Sequence, residues 1–296
     1  MKFNKSHLTL HQQLALLEKR GLIVIDREQA RHYLGHLNYY RLSGYWFPFK
    51  QSPTTDQFRP NTSFEDILNL YIFDRELRLL VIDAIERIEV SVRSKWAYFF
   101  CEKYGAHAHL DSNLFKKIQT HQKSISTLKK SVLKSKEPFI RHLDDNYDEA
   151  LPTLWALVEI MTFGQLSHWF GMLKLRSDKN AVARVYDMDE KNFVSILHHL
   201  AVVRNKCAHH SRLWNCEFTV IPKLPRDRPA IVTKSLNPDR ERKIYNTLVI
   251  IIHLLNTISP NHHCQNKLLD LIARHKIDKS QMGFPNNFEN LPIWQR

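Results

Sequence analysis

Residues 63–104 read SFEDILNLYIFDRELRLLVIDAIERIEVSVRSKWAYFFCEKY. Within them Ile67, Leu70, Tyr71, Phe73, Leu77, Leu80, Val81, Ala84, Ile85, Ile88, Val92, Trp96 and Phe99 recur at i+3 and i+4, the spacing of one helix face. The pattern predicts a helix from Ser63 to about Tyr104, closed by Gly105. At 1.5 Å per residue it would be about 60 Å long, so it is the spine of a bundle or is bent. This stretch sets the expected fold class as all-α.

Shorter helical signals flank it. Residues 8–20 carry Leu8, Leu14, Leu16 and Leu17 and stop at Arg20-Gly21, a basic last turn followed by glycine. Asp26 is placed to cap a second helix over roughly 27–37. An aromatic-rich stretch, 38–49, and a Pro, Thr, Asp and Asn loop, 50–62, follow. Downstream we expect helices over about 112–136 and 151–161, a break at Gly164 before 165–175, and a helix over 190–207. Residues 215–235 read as an irregular arm with a short strand pair. Asn237-Pro238-Asp239 would cap a helix over 239–258, and 268–275 adds a short one. The expected organisation is an N-terminal extension, 1–62, a helical bundle, 63–276, and a C-terminal tail, 277–296.

Composition narrows the partner. The chain has 296 residues, with 43 Lys and Arg against 30 Asp and Glu, a formal charge of +13, and 17 His besides. Such an excess favours a polyanion, nucleic acid or an anionic membrane surface. With 7 Gly and 12 Pro there is little turn material for a many-stranded sandwich. The longest apolar run, 248–252, is far short of a bilayer span, and residues 1–7 are polar rather than a signal core. Cys101, Cys207, Cys216 and Cys264 show no paired spacing, so a reducing cytoplasm is expected. Neither common glycine-rich phosphate loop is present. His262-His263-Cys264 lacks a second ligand pair, and no metal or cofactor is expected.

The chemistry concentrates in Leu200-Ala201-Val202-Val203-Arg204-Asn205-Lys206-Cys207-Ala208-His209-His210-Ser211-Arg212-Leu213-Trp214-Asn215. Arg204 and His209 stand five apart, offset by about 140° on a helix. They share a rim only where the helix ends or loosens between them. The pair suits RNA cleavage, in which the 2′-OH attacks the adjacent phosphate. Histidine moves protons near neutrality, a planar guanidinium stabilises the phosphate oxygens as charge builds, and Asn205 can orient either. DNA lacks the 2′-OH and cannot react this way. The plain alternative is a basic helix end with a satisfied histidine, since an Arg and a His at this spacing recur by chance.

This motif resembles the signature of the Abi-like proteins, the AbiD/AbiF type of bacterial abortive-infection family. So do Asn38-Tyr39-Tyr40-Arg41-Leu42-Ser43-Gly44-Tyr45-Trp46, Phe73-Asp74-Arg75-Glu76-Leu77-Arg78, Ile85-Glu86-Arg87-Ile88-Glu89-Val90-Ser91-Val92-Arg93 and Leu151-Pro152-Thr153-Leu154-Trp155. The resemblance spans roughly 8–275 in order. It implies a HEPN-type helical bundle that dimerises and cleaves RNA without metal, as a phage-defence toxin held under control. By position Arg204 and His209 match the HEPN pair, and Asn205 the polar residue after the arginine. His210 and Arg212 are substrate-side candidates. Some HEPN toxins carry a modifiable Tyr two residues after the histidine, where this chain has Ser211. The partners expected are RNA as substrate, a regulatory small RNA or a protein as the inhibitor, and a second copy of the chain, with no membrane.

Other candidates carry a bland alternative. Glu86, Glu89 and Arg93, at i, i+3 and i+7, would support the site or form a solvated salt-bridge ladder. Arg41, among the aromatics of 39–49, would meet unpaired bases, unless those aromatics pack a core. Residues 112–136 hold seven Lys and no acid, a phosphate track with Lys129 and Lys130 at its centre, or a merely wet helix face. Pro222-Lys223-Leu224-Pro225-Arg226-Asp227-Arg228 is a second basic tract. Cys207 reads as a small apolar filler. The rival functions are a non-catalytic RNA-binding protein and a helical module that binds a protein partner.

Overall fold

The computed structural model describes Lys2 and residues 6–295. Most of the polar start of the chain, Met1 and residues 3–5, lies outside the described residues, as does Arg296. The described residues form α1 (Leu10–Lys19), α2 (Arg27–Leu37), α3 (Tyr39–Trp46), α4 (Phe64–Tyr104), α5 (Ile118–Lys134), α6 (Pro138–Asn146) and α7 (Leu154–Ile160). They continue with α8 (Phe163–Met172), α9 (Arg176–Ala183), α10 (Glu190–Ala208), α11 (Ala230–Thr233), α12 (Ile244–Ile258) and α13 (Cys264–Arg274). Only isolated bridges accompany them. The fold is all-α, and no described helix is long and apolar enough to cross a membrane.

The chain divides into two compact units. The first holds Met1–Arg78 and Leu269–Ile277. Thr9 and Gln12 cap α1 reciprocally, and Asp26 Oδ1 accepts the Gln29 N–H at 2.9 Å to start α2. Asn38, at φ +65°, joins α2 to α3 and caps the latter by accepting from the Tyr40 N–H at 2.9 Å. The aromatic stretch therefore becomes a helix whose inner side, Leu42, Tyr45 and Trp46, is buried. The Tyr45 hydroxyl donates to Asp74 at 2.6 Å, and Arg78 pairs with the same carboxylate. Burial, then the Asp74 charge, pushes the Tyr45 hydroxyl well above the usual range. Two blocks far apart in sequence are thus one buried assembly. Tyr40 and Phe47 remain exposed, as does Arg41.

The second unit holds Leu79–Leu268 and Asp278–Arg296. Its core takes Ile85, Ile88, Val92 and Trp96 from α4, Trp169 and Phe170 from α8, and Phe193, Leu197 and Leu200 from α10. Helix α12 is buried around most of its circumference, as its unbroken apolar run requires. Residues 278–295, read as a tail, pack inside this unit. Met282, Phe284, Phe288, Ile293 and Trp294 are buried, and Trp294 Nε1 donates to the Tyr245 hydroxyl at 3.1 Å.

Several expected boundaries move. Gly164 lies inside α8. The break comes at Met161–Thr162, where Thr162 and Gln165 form a capping box and the freed Met161 carbonyl accepts from Arg93 at 2.6 Å. Helix α5 starts at Ile118 because residues 112–114 form a short 3-10 turn and Phe115 bridges to Leu173. Helix α12 starts at Ile244, because the Phe218 N–H claims the Arg242 carbonyl. The arm at 215–235 has no strand pair, only one helical turn, α11. Helices α6 and α9 were not foreseen.

The arm is pinned to α10 by a buried histidine. His199 Nδ1 donates to the Val220 carbonyl at 2.7 Å, so Nε2 accepts from the Thr247 hydroxyl at 2.8 Å. The Lys223 N–H donates to Ser195 Oγ at 2.9 Å one turn away. Burial pulls the pKa of His199 down to about 4, and burial pulls the enclosed His109 down to about 3. Below its ordinary value near 6.5 each imidazole takes its proton first in the unfolded chain, so stability held above that pH falls as the pH drops toward 4. For His199 alone the loss is about 3 kcal/mol. Urea midpoints measured from pH 7 to 4 should fall steeply, and His199→Gln should flatten that fall while lowering the midpoint at pH 7.

Candidate active site

Helix α10 is set by its ends. Asp189 Oδ1 accepts from the N–H groups of Lys191 and Asn192 at 2.9 and 3.0 Å. At the other end the His210 N–H donates to the Cys207 carbonyl at 3.0 Å and the Ser211 N–H to the Lys206 carbonyl at 2.9 Å. These are the two bonds of a Schellman stop, with His210 in the left-handed conformation at φ +55° where glycine is usual. The helix thus ends at His209, and the chain reverses immediately beyond it. Leu213 and Trp214 then bury, and Lys243 and Gln281 hold the Asn215 side chain at 2.7 and 3.0 Å.

Arg204 sits on the last full turn, 37 % exposed, with Nε 4.0 Å from Glu89 Oε2. Glu89 is 7 % exposed. Arg93, one turn along α4, pairs with Glu89 Oε1 and donates to the Met161 and Glu159 carbonyls at 2.6 and 3.1 Å. Burial raises the Glu89 pKa, against the opposing charges of Arg93 and Arg204. A buried carboxylate clamped on one side by Arg93 therefore holds the catalytic candidate on the other. Arg204 Nη1 also donates to Asn205 Oδ1 at 3.4 Å. The imidazole of His209 is exposed and free to reach a bound molecule.

The sequence candidates separate on this geometry. Glu89 links Arg93 to Arg204, Asn205 accepts from Arg204, and His209 follows one turn on; the solvated-ladder alternative fails for Glu89 and Arg93 because both lie inward. Glu86 is exposed and makes no ion pair among the described residues. His210 and Arg212 stand beside the helix end. Lys129 and Lys130 are exposed along α5, and Arg41 belongs to the first unit. Cys207 is buried. His262 accepts from the Cys264 N–H at 3.2 Å and contacts Asn256 at 2.9 Å. No group of three His, Cys, Asp or Glu side chains among the described residues could hold a metal ion.

Sequence reading passed over Lys191 and His198. Both line the α10 face that carries Asn205. Their spacing, with Ser195 and Val202 between, was the available signal.

Glu89→Gln keeps the volume and removes the charge that aims Arg204. If Arg204 works on a substrate, activity should fall roughly 10- to 100-fold through misplacement of the guanidinium, with KM less affected than kcat. An unchanged kcat would dissociate Glu89 from the site.

A family model described as Abi-like protein matches residues 32–215, more than half of the chain, and covers every element of this cluster. Neither a curated protein nor a solved structure matches the chain. On the span of that match the chain belongs to the Abi-like protein family, whose name points to abortive infection.

Proposed function

We propose that this chain is a metal-independent endoribonuclease of HEPN type, acting in a bacterial abortive-infection system. The observation that carries the reading is Arg204, braced by the buried Glu89–Arg93 pair on the last turn of a helix that ends in the exposed His209. His209 accepts the 2′-OH proton, and O2′ attacks phosphorus. The bond from phosphorus to O5′ breaks, and O5′ takes up a proton. The products are a 2′,3′-cyclic phosphate and a 5′-OH. Arg204 stabilises the charge on the phosphorane oxygens, and Asn205 orients. Two copies related by a two-fold axis would set both motifs in one composite site, one His as base and the other as acid.

The test uses the full-length protein, end-labelled single-stranded RNA and EDTA, with DNA as control. The expected result is cleavage of RNA alone, leaving a 2′,3′-cyclic phosphate. Cleavage of DNA, or cleavage abolished by EDTA, would reject the mechanism. Salt-sensitive RNA binding without cleavage would assign the non-catalytic RNA-binding function instead.

A further inference from the structure

A groove of about 770 Å³ lies in the second unit, and its lining reaches Asn205. One wall is the face of α10 that carries Lys191, His198 and Asn205. This stripe spans fifteen residues, about 21 Å end to end at 1.5 Å per step. Asn205 precedes His209 by four residues, so the stripe runs on to the histidine. Helix α8 forms the floor. Gly171 faces α10 there, where a Cβ would reach van der Waals contact with Val194 at 3.4 Å.

The other walls are brought in by tertiary bonds. The Lys116 N–H donates to the Met172 carbonyl and the Lys174 N–H to the Leu114 carbonyl, both at 2.9 Å. They set Lys116 and Lys117 on the rim. The bond from the Lys223 N–H to Ser195 sets Lys223 opposite. Four exposed lysines thus surround the groove, and its lining contains no Asp or Glu. Such a lining suits a polyanion.

We propose that this groove is the seat of a single RNA strand, whose phosphates lie along Lys191, Lys223, Lys116 and Lys117 and whose reacting linkage emerges at His209. The inference rests on the ribonuclease reading for the chemistry at that end. A strand held this way has its direction set by α10, and it reaches the histidine without the α5 lysines Lys129 and Lys130.

The test is fluorescence anisotropy with the full chain and a short labelled single-stranded RNA whose 2′-oxygens are methylated, so that it cannot be cut. Each lysine that neutralises a phosphate adds about 0.7 to the slope of log affinity against log salt. Lys191→Ala/Lys223→Ala should weaken binding about tenfold and lower that slope by about 1.4. The exposed pair Lys95→Ala/Lys267→Ala, outside the groove, should leave both unchanged. Gly164→Phe supplies a steric check, because its Cβ would meet only Thr162 Oγ1 at 3.9 Å while its ring enters the groove. It should weaken binding without lowering the melting temperature.

Wild-type affinity in the groove variants would overturn the proposal. So would competition by poly-glutamate as strong as that by RNA, which would assign the groove to an acidic peptide. Cleavage of unmodified RNA is followed in parallel. Groove-independent binding with His209-dependent cleavage would sink the groove and leave the ribonuclease. Groove-dependent binding without cleavage would do the reverse.

Discussion

On the ribonuclease reading, His209→Ala should lower the rate of RNA cleavage by roughly 10²–10⁴-fold, the range a positioned general base or acid contributes. The melting temperature should stay close to that of wild type. The imidazole is exposed, and the helix stop is made by backbone N–H groups that alanine retains. Arg204→Ala should cost roughly 10²–10³-fold in kcat, as losing a donor to a charged transition state does. Arg204→Lys should recover little, because an ammonium lacks the planar fork that Glu89 and a phosphate can engage together. Equal cleavage by wild type and His209→Ala, in protein from parallel purifications, would remove His209 from the mechanism.

Arg93→Ala should produce the largest loss of stability among the site residues. Arg93 meets Glu89 and two backbone carbonyls at once, so its removal leaves a buried carboxylate with only the distant edge of Arg204. Breaking a buried pair on one side costs about 3–5 kcal/mol, which lowers the melting temperature by about 10 °C in a unit of this size. Cleavage measured well below that melting point should also collapse, since the Glu89 charge then draws Arg204 inward. Glu89→Leu/Arg93→Met separates the two effects. An apolar replacement of the whole pair should restore much of the stability while cleavage stays lost. Recovered cleavage in that double variant would show that the pair only holds the fold.

The long helix was legible because 3.6-residue periodicity is a local property that tertiary contacts reinforce. Helix α4 runs over Phe64–Tyr104, almost as its apolar spacing predicts. Asp26, Gly21 and the end of α10 were legible for the same reason, as caps act within one turn. Helix α12 was over-extended because the competing bond comes from Phe218, twenty-four residues upstream of Arg242. The break near Gly164 lies two residues earlier, where the local signal was the Thr162–Gln165 capping box and Arg93, on another helix, takes the freed carbonyl.

The site divides the same way. Arg204, Asn205 and His209 stand out as candidates because they share one short stretch of chain. The role of Glu89 was not, since i+3 and i+4 charge spacing looks identical on a wet face and on one turned inward. By itself the sequence determined the long helix α4, the caps of α1, α2 and α10, the basic charge and the candidate residue types, all of which depend on neighbours within a turn or on sums over the chain. Only the tertiary structure decided that Glu89 faces Arg204, that residues 278–295 complete a core, and that lysines from three segments surround one groove. Those facts depend on burial and on bonds between residues far apart in the chain, for which local pattern carries no signal.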